Sequence, residues 1–524
     1  MSNTRNKGLQ GLVIFLSVAL WGCGRAETQG SENAVKAGVA SSPSVEVKTI
    51  PSELAAGDVM WIDFDQGSAF IDFAGVDSNA QFKLVVQSAL LTESSQSFAL
   101  ADSSEQFHQH LRDQEHELAV STPIVSSVSK AIVLQESTSV SVGNVRSFKV
   151  LNSLVSTSSY ITISATSRCV TDKVAMYVDD RVSLNDASVL TQSDVDKLCA
   201  QYTRDVETEI NVYGVSPDID NDGVVIALLT PAINQLGASG GGIVTGFFYA
   251  GDLMTGGNGV PSSNGGEIVY LLVPDPQGVY GTPISNGFAM SNLLPAVFPH
   301  ELQHLISYYQ HVMVSGGSSE EDWLNEAMSH FTEDLVGEGQ ENPSRYNLYL
   351  QAPASYSIIA GSSPNLSERG GGYLFLRYLY EQSSDPSGFL RNLIQTHLTG
   401  VDNLEAAFGG SSSDFSTVSQ FLRRFGVALA LTNQNVTSDP KFIFADRVLN
   451  NTTGNYEGAC LVCDANDNRG TVLTGPTTST FNGSDSLRVT GTGTRIVDLD
   501  SFPEHLDISG DSRSALQGVL IRVR

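Results

Sequence analysis

The segment Phe298-Pro-His-Glu-Leu-Gln-His-Leu-Ile306 constrains this chain more than any other. His300 and His304 stand four residues apart, so on a helix both imidazoles leave the same face, one turn from each other. Two neutral imidazoles in that relation can share one zinc ion. Glu301 lies about 100° further round the helix, where it reaches a water at the metal without being a ligand. A zinc ion that acts on substrate takes a third protein ligand and keeps one position open. Trp323-Leu-Asn-Glu-Ala-Met-Ser329 offers Glu326 for that role. It follows His304 by 326 − 304 = 22 positions, room for one helix to end, a loop to pass and a second helix to begin. Two surface histidines followed by an unrelated acidic helix is the alternative, and the occurrence of both halves together weighs against it.

The pair His-Glu-x-x-His and Asn-Glu-x-x-Ser resembles the gluzincin metallopeptidases, the thermolysin-like group. Trp323–Ser329 after Pro299–Ile306 looks most like the hyicolysin-like bacterial family. The resemblance covers residues 205–385 and is concentrated in the two helices. It implies that His300, His304 and Glu326 bind zinc and that Glu301 is the general base. It further implies an edge strand ahead of the zinc helix that pairs with extended substrate. Glu267–Val273 is the candidate, with the Gly-rich residues 236–266 as a lid; a buried strand under a surface loop explains the same residues. Thermolysin-like enzymes carry an Asp four residues after the glutamate ligand to orient a zinc-bound histidine. This chain has His330 there, a packing or substrate-facing residue, and Glu333 and Asp334 are the candidates to replace the Asp. Gluzincins often steady the oxyanion with a tyrosine or histidine. Tyr373, read at the glycine-rich start of the helix Gly370–Tyr380, is the candidate, beside a packing role.

Of the 524 residues 41% are hydrophobic and 16% charged, which marks a globular chain of two to four domains. A net charge of −28 turns it away from nucleic acid and anionic lipid. Arg5 and Lys7 precede the apolar run Gly11–Trp21, too short for a membrane span but of signal-peptide length. Leu20-Trp21-Gly22-Cys23 resembles a bacterial lipobox, which implies a lipidated Cys23; ordinary signal cleavage is the alternative, because Trp21 is unusual there. The expectation is an exported protein, secreted or held at the outer membrane or cell surface, with the lipid anchor as its one membrane contact. Cys169, Cys199, Cys460 and Cys463 then remain, an even count that suggests two disulfides. Three pairings are possible, and proximity favours Cys169–Cys199 and Cys460–Cys463. The second spacing also fits a redox site or half a zinc ribbon without its other half.

The organisation read from the sequence is multidomain α+β. Residues 1–22 are a lipoprotein-type signal peptide and 23–47 a flexible tether. Residues 48–170 form a β-rich N-terminal domain, 171–435 a metalloprotease domain with a mixed sheet, edge strand and zinc helices, and 436–524 a small β-rich accessory domain. Glu105–Leu118 reads as a solvated charged helix. It carries His108, His110 and His116, and a zinc motif begun at His116-Glu117 fails at Val120. Asp218, Asp220 and Asp222 alternate ahead of Gly223, the first half of a calcium loop. Leu229 stands where an EF-hand needs its last ligand, and a plain turn before a strand explains the same residues. Pro295 and Pro299 disturb the zinc helix, since an interior proline costs about 3 kcal/mol. Either the helix begins near Pro295 and kinks, or Pro299 occupies its first turn.

Together these readings predict an exported zinc metallopeptidase acting on protein or peptide. No Gly-x-Met-Glu-Asn-type anchor for a free amine is recognisable, which favours an endopeptidase over an aminopeptidase of the same fold. A surface adhesin with a structural zinc site is the rival from another class, and Glu301 argues against it. The sequence carries no signal for oligomeric state.

Overall fold

Two patterns of apolar residues build two sheet systems. The computed structural model describes residues 33–39, 47–51, 54–91, 103–120, 139–254, 260–361, 364–409, 415–467 and 469–524. The chain is a mixed α/β protein. Its signal-peptide residues and Cys23 lie outside the described residues, and no helix among those described is long and apolar enough to cross a membrane.

The central sheet has six strands in the order Gly246–Phe248, Ile268–Leu271, Val225–Leu229, Val174–Asp179, Tyr160–Val170, Val145–Leu151. Val174–Asp179, Val225–Leu229 and Ile268–Leu271 run parallel and are buried along their whole length. Unbroken β-branched and aliphatic runs of this kind belong in a sheet covered on both faces. The helix Gln192–Tyr213 packs against this sheet; Thr191 and Asp194 close its start in a capping box, and the Cys169–Cys199 disulfide ties it to the neighbouring strand.

This helix also makes an awkward sequence workable. The histidine helix, Leu294–Tyr308, contains Pro299 in its interior. Pro299 cannot donate to the carbonyl of Pro295, and Gln201 Nε2 donates to that carbonyl instead at 3.0 Å. The Tyr202 hydroxyl donates to the carbonyl of Leu294 at 2.9 Å, and its ring stacks on Phe298 with centroids 3.9 Å apart.

The second system is a pair of facing five-stranded sheets. One orders Ser484–Val489, Asn33–Val39, His505–Ser509, Ser68–Asp72 and Val47–Thr49. The other orders Thr478–Thr480, Thr494–Leu499, Phe82–Ser88, Leu516–Arg522 and Val59–Asp63. Ile62, Ile71, Leu84, Val497, Leu506 and Leu520 fill the space between them. In Phe82–Ser88, Leu84 and Val86 face this core, while Val85 belongs to the main core. There the strand meets the helix Val418–Leu431, and Gln87 Nε2 donates to the carbonyl of Leu422 at 2.7 Å.

These pairings redraw the sequence-derived organisation. Strands from both ends of the chain interleave, so the N-terminal and C-terminal β-regions form one body. Residues 33–39, read within a tether, are one of its strands, and Val145–Val170 belong to the central sheet. Residues 448–474 make two short hairpins held to the main body, for example by Tyr346 donating to the carbonyl of Cys460 at 3.2 Å. Antiparallel pairing across 497 − 84 = 413 positions leaves no local trace, because a strand's pattern records its buried face and not its partner (Leu84 pairs with Val497).

Candidate metal centre

The glutamate helix, Asp322–Leu335, lies beside the histidine helix, and the two bring His300, His304 and Glu326 together. His300 Nε2 is 3.6 Å from Glu326 Oε2, and His304 Nε2 is 3.6 Å from Glu326 Oε1. The backs of both rings are occupied. Glu333 Oε1 lies 2.8 Å from His300 Nδ1, and Asn325 Oδ1 lies 3.0 Å from His304 Nδ1. Both partners accept, so each Nδ1 carries a proton and each Nε2 points toward Glu326; the neutral rings would offer those Nε2 lone pairs to a metal. Ser329 donates to Gln303 Oε1 and also approaches His304 Nε2 at 3.1 Å.

All three groups are buried, and Glu326 Oε2 has no hydrogen-bond partner among the described residues. Burial opposes charge on Glu326, but Arg369, whose Nη1 is 3.2 Å away, and the two histidines outweigh it and hold the carboxyl well below its usual range. Burial likewise opposes charge on His300, yet Glu326 and Glu333 lift it to about 9; His304 is depressed, chiefly by burial. A buried carboxylate whose two oxygens each face one ring Nε2 fits a divalent metal by donor type and by convergence.

Glu301 is buried on the same helix but stands apart from this trio. Its Oε2 accepts the Phe248 amide at 3.0 Å. Burial raises its carboxyl, while His300 and Arg112 pull the other way. Phe248 belongs to the strand Gly246–Phe248, the true edge of the central sheet; Ile268–Leu271, the sequence candidate for that edge, is an interior strand. A three-residue strand inside a Gly-rich stretch has no period to read. Gly246 permits its close approach to the histidine helix. A Cβ there would sit 2.5 Å from the Tyr270 carbonyl oxygen and 3.0 Å from Val297.

Arg369 comes from a third helix, Leu366–Gln382, which starts in an Asn365/Glu368 capping box. The glycines 370–372 lie inside this helix instead of preceding it. A Cβ at Gly370 would meet the Arg345 backbone at 2.5 Å, so the helices pack too closely for any larger residue. That shift of register corrects the oxyanion candidate. Tyr373 is buried away from the cleft and stacks on Tyr346 with centroids 5.9 Å apart. The cleft is lined instead by His300, Glu301, His330, Glu333, Arg345 and Arg369. His330 Nδ1 is 2.9 Å from Glu333 Oε1, its Nε2 has no hydrogen-bond partner among the described residues, and burial depresses its pKa to about 4.

The helix Ser103–Ala119, expected to be solvated, covers this cleft. Phe107, Leu111, Arg112 and Glu115 are all buried, and His108 joins the cleft lining. Phe107 and Leu111 join the main core while Gln109 and His116 meet Asp322, a mixed face that sequence periodicity does not distinguish from a solvated one.

The acidic loop sits elsewhere. Asp218, Asp220 and Asp222 are joined by Glu267, one carboxylate oxygen of each lying within 4.8 Å of the others. Burial raises Glu267 to about 8 and Asp222 to about 6, and Arg146 pairs with Asp220 at 3.3 Å. Cys460 is bonded to Cys463.

The sequence reading passed over Asn325, Arg369, Glu267 and the overlying helix. Only Asn325, inside the Asn-Glu pair, carried a local signal. Compared with known proteins, the chain matches no family model, and no curated protein is significantly similar to it.

Proposed function

We propose that this protein is an exported zinc metallopeptidase, an endopeptidase, with His300, His304 and Glu326 as metal ligands and Glu301 as general base. The observation that carries the reading is the convergence of two Nε2 atoms and Glu326 beside an unligated Glu301 that hangs from the edge strand. Zinc, when bound, polarises a scissile carbonyl and makes water a better nucleophile at neutral pH. Glu301 takes the proton of the attacking water on its carboxylate and delivers it to the leaving amine. Its burial favours that exchange by holding its pKa above an ordinary carboxylate's. Glu333 and Asn325 fix the tautomer and tilt of the two imidazoles. The edge strand Gly246–Phe248 offers main-chain groups to an extended peptide of any sequence. Arg369, the cation nearest Glu326 in the cleft, takes over from Tyr373 as the group to steady an oxyanion.

The all-oxygen set Asp218, Asp220, Asp222 and Glu267 suits a hard cation, and we assign calcium to it; a melting temperature that calcium leaves unmoved removes the assignment. Export with a lipid on Cys23 completes the reading, and metabolic labelling with palmitate tests it.

The central test is a pair of variants. Glu301→Gln keeps zinc and lowers casein hydrolysis by about 10²–10⁴-fold. His304→Ala loses the metal and activity together. Hydrolysis by the wild-type protein that survives complete zinc removal sinks the proposal.

A further inference from the structure

The helix Ser103–Ala119 is the largest feature of the cleft that the proposed chemistry leaves unused. Phe107, Leu111, Arg112 and Glu115 are each at most 2% exposed and fall at the three- and four-residue spacing of a docked helical face. Phe107 packs edge-on against Phe247 of the edge strand, with ring centroids 5.2 Å apart. His108 faces the same cleft as His300 and Glu301. The helix is also held at the start of the glutamate helix. Gln109 Nε2 donates to Asp322 Oδ2 at 2.9 Å, and His116 meets Asp322 Oδ1 at 3.3 Å and Ser319 Oγ at 2.7 Å. It therefore spans from the edge strand to the start of the glutamate helix, across the ground an extended peptide would need to reach Glu301.

We propose that this helix is a built-in plug, which fills the substrate groove and shields the metal centre until it is displaced or excised. The inference rests on the peptidase reading for what is kept out, but the occlusion itself does not.

Two observations favour a removable plug over a permanent wall. The first is the quality of the contact. Arg112 pairs with Glu115 at 3.0 Å, yet none of its side-chain nitrogens has a hydrogen-bond partner among the described residues. Glu301, Glu326 and Asp322 also favour its charge, so electrostatic attraction holds it without directed hydrogen bonds, and water can take that place when the helix leaves. The second is the wiring. Phe82–Ser88, before the helix, is paired on both sides within the sandwich, and Val145–Leu151, after it, is paired in the central sheet. Neither pairing involves the helix, so it can leave, even by a cut on each side, without opening either sheet. Trimming the N-terminus alone would not release it.

The experiment places site-specific protease sites between Ser94 and Ser95 and between Ser126 and Ser127 of the zinc-loaded full chain. Zinc capture by a chromogenic chelator and casein hydrolysis are measured before cleavage, after the excised helix is washed away, and after a synthetic peptide of residues 103–119 is returned. Both rates are expected to rise by about tenfold or more on excision and to fall when the peptide returns. Phe107→Asp, in the uncut chain, should raise both in the same direction. Faster zinc capture with no hydrolysis in any form supports the plug and overturns the peptidase reading. Unchanged zinc capture after excision overturns the plug. So does hydrolysis that is lost on excision and restored by the peptide, which would make the helix a working part of the site.

Discussion

The candidate metal centre and the β-sandwich bury opposite kinds of side chain. Between the sandwich sheets lie Ile62, Ile71, Leu84, Leu506 and Leu520, with no charge among them. Around the centre, Glu301, His304, Glu326, His330 and Glu333 are each at most 2% exposed. Apolar burial stabilises by about 25 cal/mol per Å² of area removed from water, whereas a buried charge costs several kcal/mol unless it is paired. The sandwich thus supplies stability, and the centre consumes some of it to hold reactive groups dry.

The widest test of that division separates the chain ends. Residues 436–524 expressed alone should show no cooperative unfolding transition, because their strands pair with Val59–Asp63, Ser68–Asp72 and Phe82–Ser88. Adding a fragment of residues 24–91 should restore one, and an autonomous fold of 436–524 would break the comparison. Next, Leu84→Ala should lower unfolding free energy by about 2–5 kcal/mol in denaturant titration while leaving zinc stoichiometry and per-molecule activity of the folded protein unchanged. In the other direction, Glu333→Gln should weaken zinc affinity by about 10–100-fold in chelator competition, with little change in melting temperature of the zinc-saturated protein.

A last test concerns the cost of burying acids. Burial raises Glu320 to about 8, against hydrogen bonds from Gly400 and Asn403. Below the unfolded value of 4.5 both states hold the proton, and pH has no effect through this group. Between there and 8 the folded state keeps a proton the unfolded state releases, so stability falls as pH rises, by at most about 1.4 kcal/mol per unit. Denaturation midpoints from pH 5 to 8 should flatten in Glu320→Gln.

Much of the centre was legible before any coordinates. The spacing of His300 and His304 needs only one helical turn to become a geometry, and Asn325-Glu326 announces its own helix. Glu333 could be named as a stand-in for the missing aspartate because it shares a helix with Glu326. Arg369 could not, since nothing in Glu368-Arg-Gly says which neighbour the helix will face. Tyr373 failed for the same reason: the glycines looked like a turn, and only close packing against Arg345 explains them as helix.

What the sequence determined by itself, then, is whatever repeats within one turn or one strand: the two helices that carry His300, His304 and Glu326, and the strand within Glu267–Val273. Tertiary structure decided which distant segments pair, that both chain ends make one sandwich, that a three-residue strand forms the sheet edge, and that a polar helix lies over the cleft. The physical reason is range. Helical hydrogen bonds close between near neighbours and mark the local sequence, whereas sheet pairing and helix docking depend on surfaces that exist only once the chain has folded.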